Sequence, residues 1–301
     1  MTTTLQPTSI PQTQSQIQTQ TQTQSQIQTR SQRPFSLGLF LLIVFGLSWP
    51  PQIAYALWGN DPIRGYLLSS LSMMMVAVGA YIAGRWVFRD GFKNMGWNWG
   101  RPKHYLAVFA LALFIFGAPV LLESMFGLHS LPGNGSAWGI MGGFATSFVL
   151  TLIPGFSEEF GWRAYLLPRL AQRYSVRRAL LLHGFIWWAW HLPALVKIGW
   201  QVEGAGANPW LSVGVTILVS LFPAMMNAVL FAYVWTASQS LAVASVYHAA
   251  YDEVRDALQR GIGFGPLVSI WEMAVTLVFG AFLLVKADWS RLRPPADSID
   301  G

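Results

Sequence analysis

Three short stretches of this 301-residue chain place ionisable side chains inside otherwise apolar sequence. The first is Ser157-Glu158-Glu159-Phe160-Gly161-Trp162-Arg163, directly after Pro154-Gly155. Glu159 and Arg163 are four apart and can pair along one helix face, whereas Glu158 projects about 100° away and stays free. That asymmetry suggests a chemical Glu158 beside a structural Glu159 and Arg163. An acidic, capped first turn of an interfacial helix explains the segment equally well. The second stretch, Trp187-Trp188-Ala189-Trp190-His191-Leu192-Pro193, holds His191 one turn beyond Trp187; alone, such a histidine is more often a hydrogen-bonded packing residue. The third, His248-Ala249-Ala250-Tyr251-Asp252, sets a histidine and a carboxylate on one face. It reads as a catalytic dyad, half of a metal site, or an ion pair that lets the helix insert.

These residues need elements to position them, and composition says what kind. The chain is 53% hydrophobic and 11% charged, against roughly 25% charged residues in soluble domains. So few charges cannot coat a soluble particle of this size, which points to a bilayer as the second solvent. Cysteine is absent, which removes disulfides, thiolate nucleophiles and Cys-ligated metals. The net charge of +6 fits basic residues held on the cytoplasmic side of a membrane, and nucleic acid is not expected as a partner.

From Phe35 onward the sequence divides into apolar stretches long enough to cross ~30 Å of hydrocarbon. Eight are placed, at 35–58, 63–87, 105–126, 137–155, 179–197, 210–235, 241–254 and 267–285. The expected fold is therefore an all-α polytopic membrane protein of about eight transmembrane helices with an intramembrane cavity facing the cytosol. Residues 1–34, rich in Gln, Thr and Ser with QTQSQIQT repeated at 12–19 and 22–29, have too little apolar surface to fold and are expected to be a disordered cytoplasmic tail. Residues 35–288 form the transmembrane domain, and 289–301 a short C-terminal tail.

With eight spans, Arg30, Arg33, Arg85, Arg89, Lys93, Arg101, Lys103, Arg163, Arg169, Arg173, Arg177, Arg178, Lys286, Arg291 and Arg293 share one side with both termini. Arg64, Lys197, Arg255 and Arg260 remain on the other. The positive-inside rule places both termini in the cytoplasm, of a bacterial plasma membrane by composition. Pro154-Gly155 is expected to interrupt the fourth span, with Ser157 capping its continuation. Pro223 with Asn227 reads as a kink with a polar group bonded inside the bundle. At 1.5 Å per residue, Glu158, His191 and His248 lie about 18, 20 and 12 Å from the cytoplasmic surface, depths compatible with one site.

Taken in order, Glu158-Glu159 with Arg163, Trp187 with His191, and His248 with Asp252 resemble the motifs of the CPBP family. These are intramembrane proteases related to the CAAX prenyl endopeptidases and to lysostaphin-resistance-protein-A-like proteins of bacteria. The resemblance covers about 137–254. It implies that Glu158 and His191 activate a water for attack on a peptide carbonyl, and that His248 and Asp252 stabilise the tetrahedral oxyanion; Glu159, Arg163 and Trp187 support them. The commoner family pattern has Phe at the position of Trp187 and Asn at that of Asp252. An Asn amide donates to an oxyanion and an ionised Asp does not, so Asp252 would be protonated, orient His248 or bind a cation. Zinc is the cofactor that the resemblance leaves open, with Glu158, His191 and His248 as ligands, although no HExxH helix is present.

The implied function is hydrolysis of a peptide bond in a membrane-associated or C-terminally processed, CAAX-type, protein or peptide. Two other readings stay open. Intramembrane Glu, His and Asp also build the proton relays of coupled transporters, and a catalytically silent membrane scaffold would need no competent site.

Overall fold

The computed structural model describes residues 33–126, 137–201, 208–262 and 266–292. The greater part of the Gln/Thr-rich tail and Arg293 onward lie outside them. Every long element among the described residues is a helix: α1 (Leu37–Trp58), α2 (Pro62–Ile82, ending in a π-helical turn, Ala83–Val87), α3 (Pro102–Met125), α4 (Ala137–Glu159, running through a π-helical Phe160–Leu166 into Leu167–Arg173), α5 (Val176–Trp190), α6 (Leu192–Gln201), α7 (Pro209–Ser238), α8 (Leu241–Ile262) and α9 (Pro266–Lys286).

Five of these, α1 to α4 and α7, are long and apolar enough to cross a membrane, and α5 with α6 makes a sixth span if taken together. The seventh expected span is helical as α8, but its polar residues keep it from qualifying by composition. Much of the molecule's outer surface is lipid-like: Leu42, Leu106, Leu218 and Val278 are more than two-thirds exposed. Polar side chains lie inside instead, the distribution a bilayer imposes.

Two helix breaks differ from expectation. α4 runs through Pro154 without interruption. Proline removes the N–H that would bond the carbonyl four residues earlier, and that carbonyl, Leu150 O, accepts from the Tyr66 hydroxyl of α2 at 3.2 Å. A neighbouring helix thus satisfies the freed acceptor, and the helix continues. Ser157 is not a cap; its hydroxyl donates to Ile153 O at 2.9 Å. Conversely, the fifth span is not continuous, since α5 ends at Trp190 and α6 leaves at 56°. Pro193 sits in the first turn of α6, where its missing N–H is tolerated at a helix start but cannot extend the hydrogen-bond ladder of α5. His191 therefore lies at the corner between the two helices.

α8 packs against α4 and α3, and α5 against α7. The α4–α8 crossing is close because position 155 has no side chain: a Cβ on Gly155 would lie 3.1 Å from that of His248. This approach delivers the third motif to the first. At the basic end, Arg169 pairs with Asp90 at 2.7 Å and Arg173 donates to Phe35 O, tying α4 to the segments after α2 and before α1, while Arg177 donates to Val285 O, tying α5 to α9.

Candidate active site

Glu158 and Glu159 sit at the end of the α-helical part of α4, just before its π-helical turn. Wide turns of this kind are frequent at functional sites. Both carboxylates are buried, and they face different surroundings. Glu159 Oε1 accepts from Arg163 at 3.0 Å and makes a 2.8 Å hydrogen bond with His248 Nδ1. Arg163 is fully buried, its guanidinium 4.5 Å from the centre of the Phe231 ring and 4.8 Å from that of Trp187. It therefore does not belong to the exposed basic rim in which the sequence placed it. The expected Glu159–Arg163 pair forms, and Glu159 additionally fixes the His248 ring.

Glu158 has one hydrogen-bond partner, the indole Nε1 of Trp187, which donates to Oε2 at 3.0 Å. The backbone carbonyl of the same Trp187 lies 2.8 Å from His191 Nδ1. A carbonyl only accepts, so Nδ1 carries the proton and Nε2 is left as the basic nitrogen of the neutral ring. One residue thus holds both members of the expected water-activating pair. A phenylalanine at 187 could supply the carbonyl but not the indole N–H.

Glu158, His191, His248 and Asp252 line a single cavity of about 270 Å³, together with Trp187, Phe231 and Tyr251. The space is equivalent to roughly nine waters at ~30 Å³ each. His248 Nε2 is 3.6 Å from Asp252 Oδ2, beyond hydrogen-bond length, while Asp252 Oδ1 lies 3.3 Å from Arg255. Arg255, Gln52, Tyr55 and Asn227 also line the cavity. Sequence reading did not assign them to the site, because each sits on a helix that carries no motif or beyond the end of one. Asn227 does not find the bond expected inside the bundle: its Oδ1 is buried with no hydrogen-bond partner among the described residues.

Buried residues of α4 lie between the cavity and the basic end. On that side Trp162, Arg163, Tyr165 and Leu166 form a layer with no exposed surface. The partly exposed lining residues are Tyr55 on α1 near its turn into α2, Ser69 and Met73 on α2, His191 at the corner, Ala194 on α6, and Asp252 and Arg255 on α8. Lys197 bridges α6 to that turn, donating to Asn60 Oδ1 at 2.7 Å. Past Glu158, α4 continues toward the basic end as a buried helix.

Zinc does not fit these side chains. No group of three His, Asp or Glu side chains among the described residues is arranged to hold a metal ion. No step is derived through a metal.

Residues 107–254 match the family model for type II CAAX prenyl endopeptidase Rce1-like proteins. The chain is also 34% identical over 120 residues to CAAX prenyl protease 2 of Methanococcus maripaludis, an alignment covering 37% of this chain and 43% of that protein. The chain thus spans less than half the length of that relative. The family-model match takes in all three motif segments, and the resemblance drawn from the motifs holds there.

Proposed function

We propose, from the premise that residues 107–254 place this chain in the Rce1-like CAAX prenyl endopeptidase family, that it is an intramembrane endopeptidase acting near the C terminus of a membrane-anchored protein or peptide. The observation carrying this reading is that four side chains from three separate motifs line one cavity. Glu158 is the general base. Desolvated beside Trp187, it takes a proton from a water that Nε2 of His191 also orients. The water oxygen attacks the scissile carbonyl carbon, and the carbonyl π electrons move to its oxygen. When the C–N bond breaks, Glu158 returns the proton to the departing amine.

The oxyanion is served by His248, held through Nδ1 by Glu159. His248 lines the cavity, and its Nε2 donates to the oxyanion when the ring carries both protons. Asp252 orients that ring, while Arg255 offsets its charge. α8 and α9 complete an eight-span bundle around the site. With the basic rim in the cytoplasm, the mouth of the cavity faces the opposite side of the membrane.

Two measurements test this. Comparison of peptide termini in membranes holding the wild-type or the Glu158→Gln protein should show one set of C-terminal or internal ends present only with the wild type; identical sets would refute the peptidase reading. The native chain has no cysteine, so single cysteines report topology cleanly. In intact cells, Asn60→Cys should react with an impermeant maleimide, whereas Lys93→Cys should react only after permeabilisation. The reverse pattern would put the mouth on the cytosolic side.

A further inference from the structure

At the basic end of the molecule the segment between α2 and α3, the start of α3, the end of α7 and Arg291 enclose a polar hollow of about 380 Å³. Arg101, Lys103, His104 and Arg291 line it, with no acidic residue among the lining. Three other arginines of the molecule have carboxylate partners. Arg163 is paired with Glu159, Arg169 with Asp90, and Arg255 with Asp252 and Asp256. Among the described residues no carboxylate lies within 4 Å of the charged nitrogens of Arg101, Lys103 or Arg291. Asp288, three residues before Arg291, accepts the backbone N–H of Ser290 at 2.9 Å. His104 Nδ1 accepts from Arg101 N at the long distance of 3.5 Å, which leaves its Nε2–H as a further donor.

Two apolar grooves adjoin the hollow, one on each side. One of about 500 Å³ shares Lys103, His104, Ala237 and Ser238 with it and descends along α3 past Ala107 to Leu111, about 12 Å into the bilayer at 1.5 Å per residue. The other, of about 530 Å³, shares Asn98 and Trp99 and runs between α4 and α8 past Leu152, Phe156 and Val246. Trp99 is 83% exposed and Trp97 57% exposed at this level, as expected of side chains at the headgroup boundary. A cationic hollow at headgroup depth between two apolar grooves has the shape and charge of one chemical object.

We propose that this region binds an anionic diacyl phospholipid of the leaflet at the basic face. Its phosphate is held by Arg101, Lys103, His104 and Arg291, and one acyl chain lies in each groove. Basic pockets between membrane helices recognise lipid headgroups in this way. The site is separate from the Glu158 cavity and does not depend on the peptidase reading.

The test uses the full chain purified from nanodiscs of equal phosphatidylglycerol and phosphatidylcholine, with retained lipid counted by native mass spectrometry and melting followed with added lipid or inorganic phosphate. The wild type should retain phosphatidylglycerol preferentially and melt higher when it is added; inorganic phosphate at the same concentration should leave the midpoint unchanged. R101Q/K103Q/R291Q should lower the preference by about tenfold or more, each basic residue near an anionic surface contributing to it. R85Q/K93Q, which removes two charges elsewhere on the same face, should keep it. A107W blocks one groove without altering charge and should also lose the retained lipid, which keeps the site testable should the triple variant fail to fold. An unchanged preference in both R101Q/K103Q/R291Q and A107W, or an equal loss in R85Q/K93Q, would overturn the proposal, the latter in favour of a diffuse basic surface. A shift produced by inorganic phosphate alone would overturn the lipid assignment.

Discussion

Two adjacent carboxylates on α4 lie in opposite surroundings. Glu159 is enclosed by Arg163, His248 and aromatic rings, with no exposed surface. Glu158 has a single indole donor and borders about 270 Å³ of space. The first has charge compensation and no room; the second has room and little compensation. A buried ionic network without free volume can position neighbours but cannot receive a substrate, whereas a weakly compensated carboxylate beside a cavity can exchange a proton with water. The chemical division between the two residues thus follows from packing, although both are glutamates at consecutive positions.

The sharpest way to separate the two sides is to neutralise each in turn. Glu158→Gln should abolish cleavage of the peptide found by terminus mapping, a loss of about 10²–10⁴-fold as expected for a general base. Its melting midpoint should move little, because the Trp187 indole can donate to the Gln carbonyl oxygen. Retained cleavage would remove Glu158 from the role given to it. Glu159→Gln should instead unfold at markedly lower denaturant, since it leaves Arg163 buried without a counter-charge; breaking such a pair costs about 3–5 kcal/mol. An unaltered unfolding curve for Glu159→Gln would mean that the sealed side is not a structural network.

Smaller effects sharpen the boundary between the two sides. Trp187→Phe removes the N–H that holds Glu158 and keeps the backbone carbonyl that holds His191. Its turnover should fall about tenfold, equivalent to about 1.4 kcal/mol, near the lower end of the range for a hydrogen bond to a charged group. Its unfolding should change far less than that of Glu159→Gln. Asp252→Asn is expected to have the smallest effect, within about threefold in turnover, because an amide can still orient His248 and can also donate to the oxyanion. A loss as large as that of Glu158→Gln would make Asp252 a direct participant in proton transfer.

Several features of the fold were legible because they depend on local composition. Apolar stretches of membrane-crossing length gave the helices, and the four-residue spacing gave the Glu159–Arg163 pair. The corner at His191 and the continuation through Pro154 were not legible. Both concern prolines, and the outcome turned on a residue far away in sequence: the Tyr66 hydroxyl satisfies the carbonyl that Pro154 frees. Arg163 looked like part of a basic rim because sequence counts charges without depth. The bond from the Trp187 indole to Glu158 was invisible for a similar reason, since it joins residues 29 positions apart.

The amino-acid sequence by itself determined the solvent, the approximate helices, the basic end and the three motif segments, since each is a matter of residue type within a window of one or two helical turns. Only the tertiary structure decided which glutamate borders free space, what holds each histidine ring, and that buried residues of α4 lie between the cavity and the basic end. Those depend on how helices cross. At the α4–α8 contact the absent side chain of Gly155 lets the His248 backbone come close enough for its ring to reach Glu159.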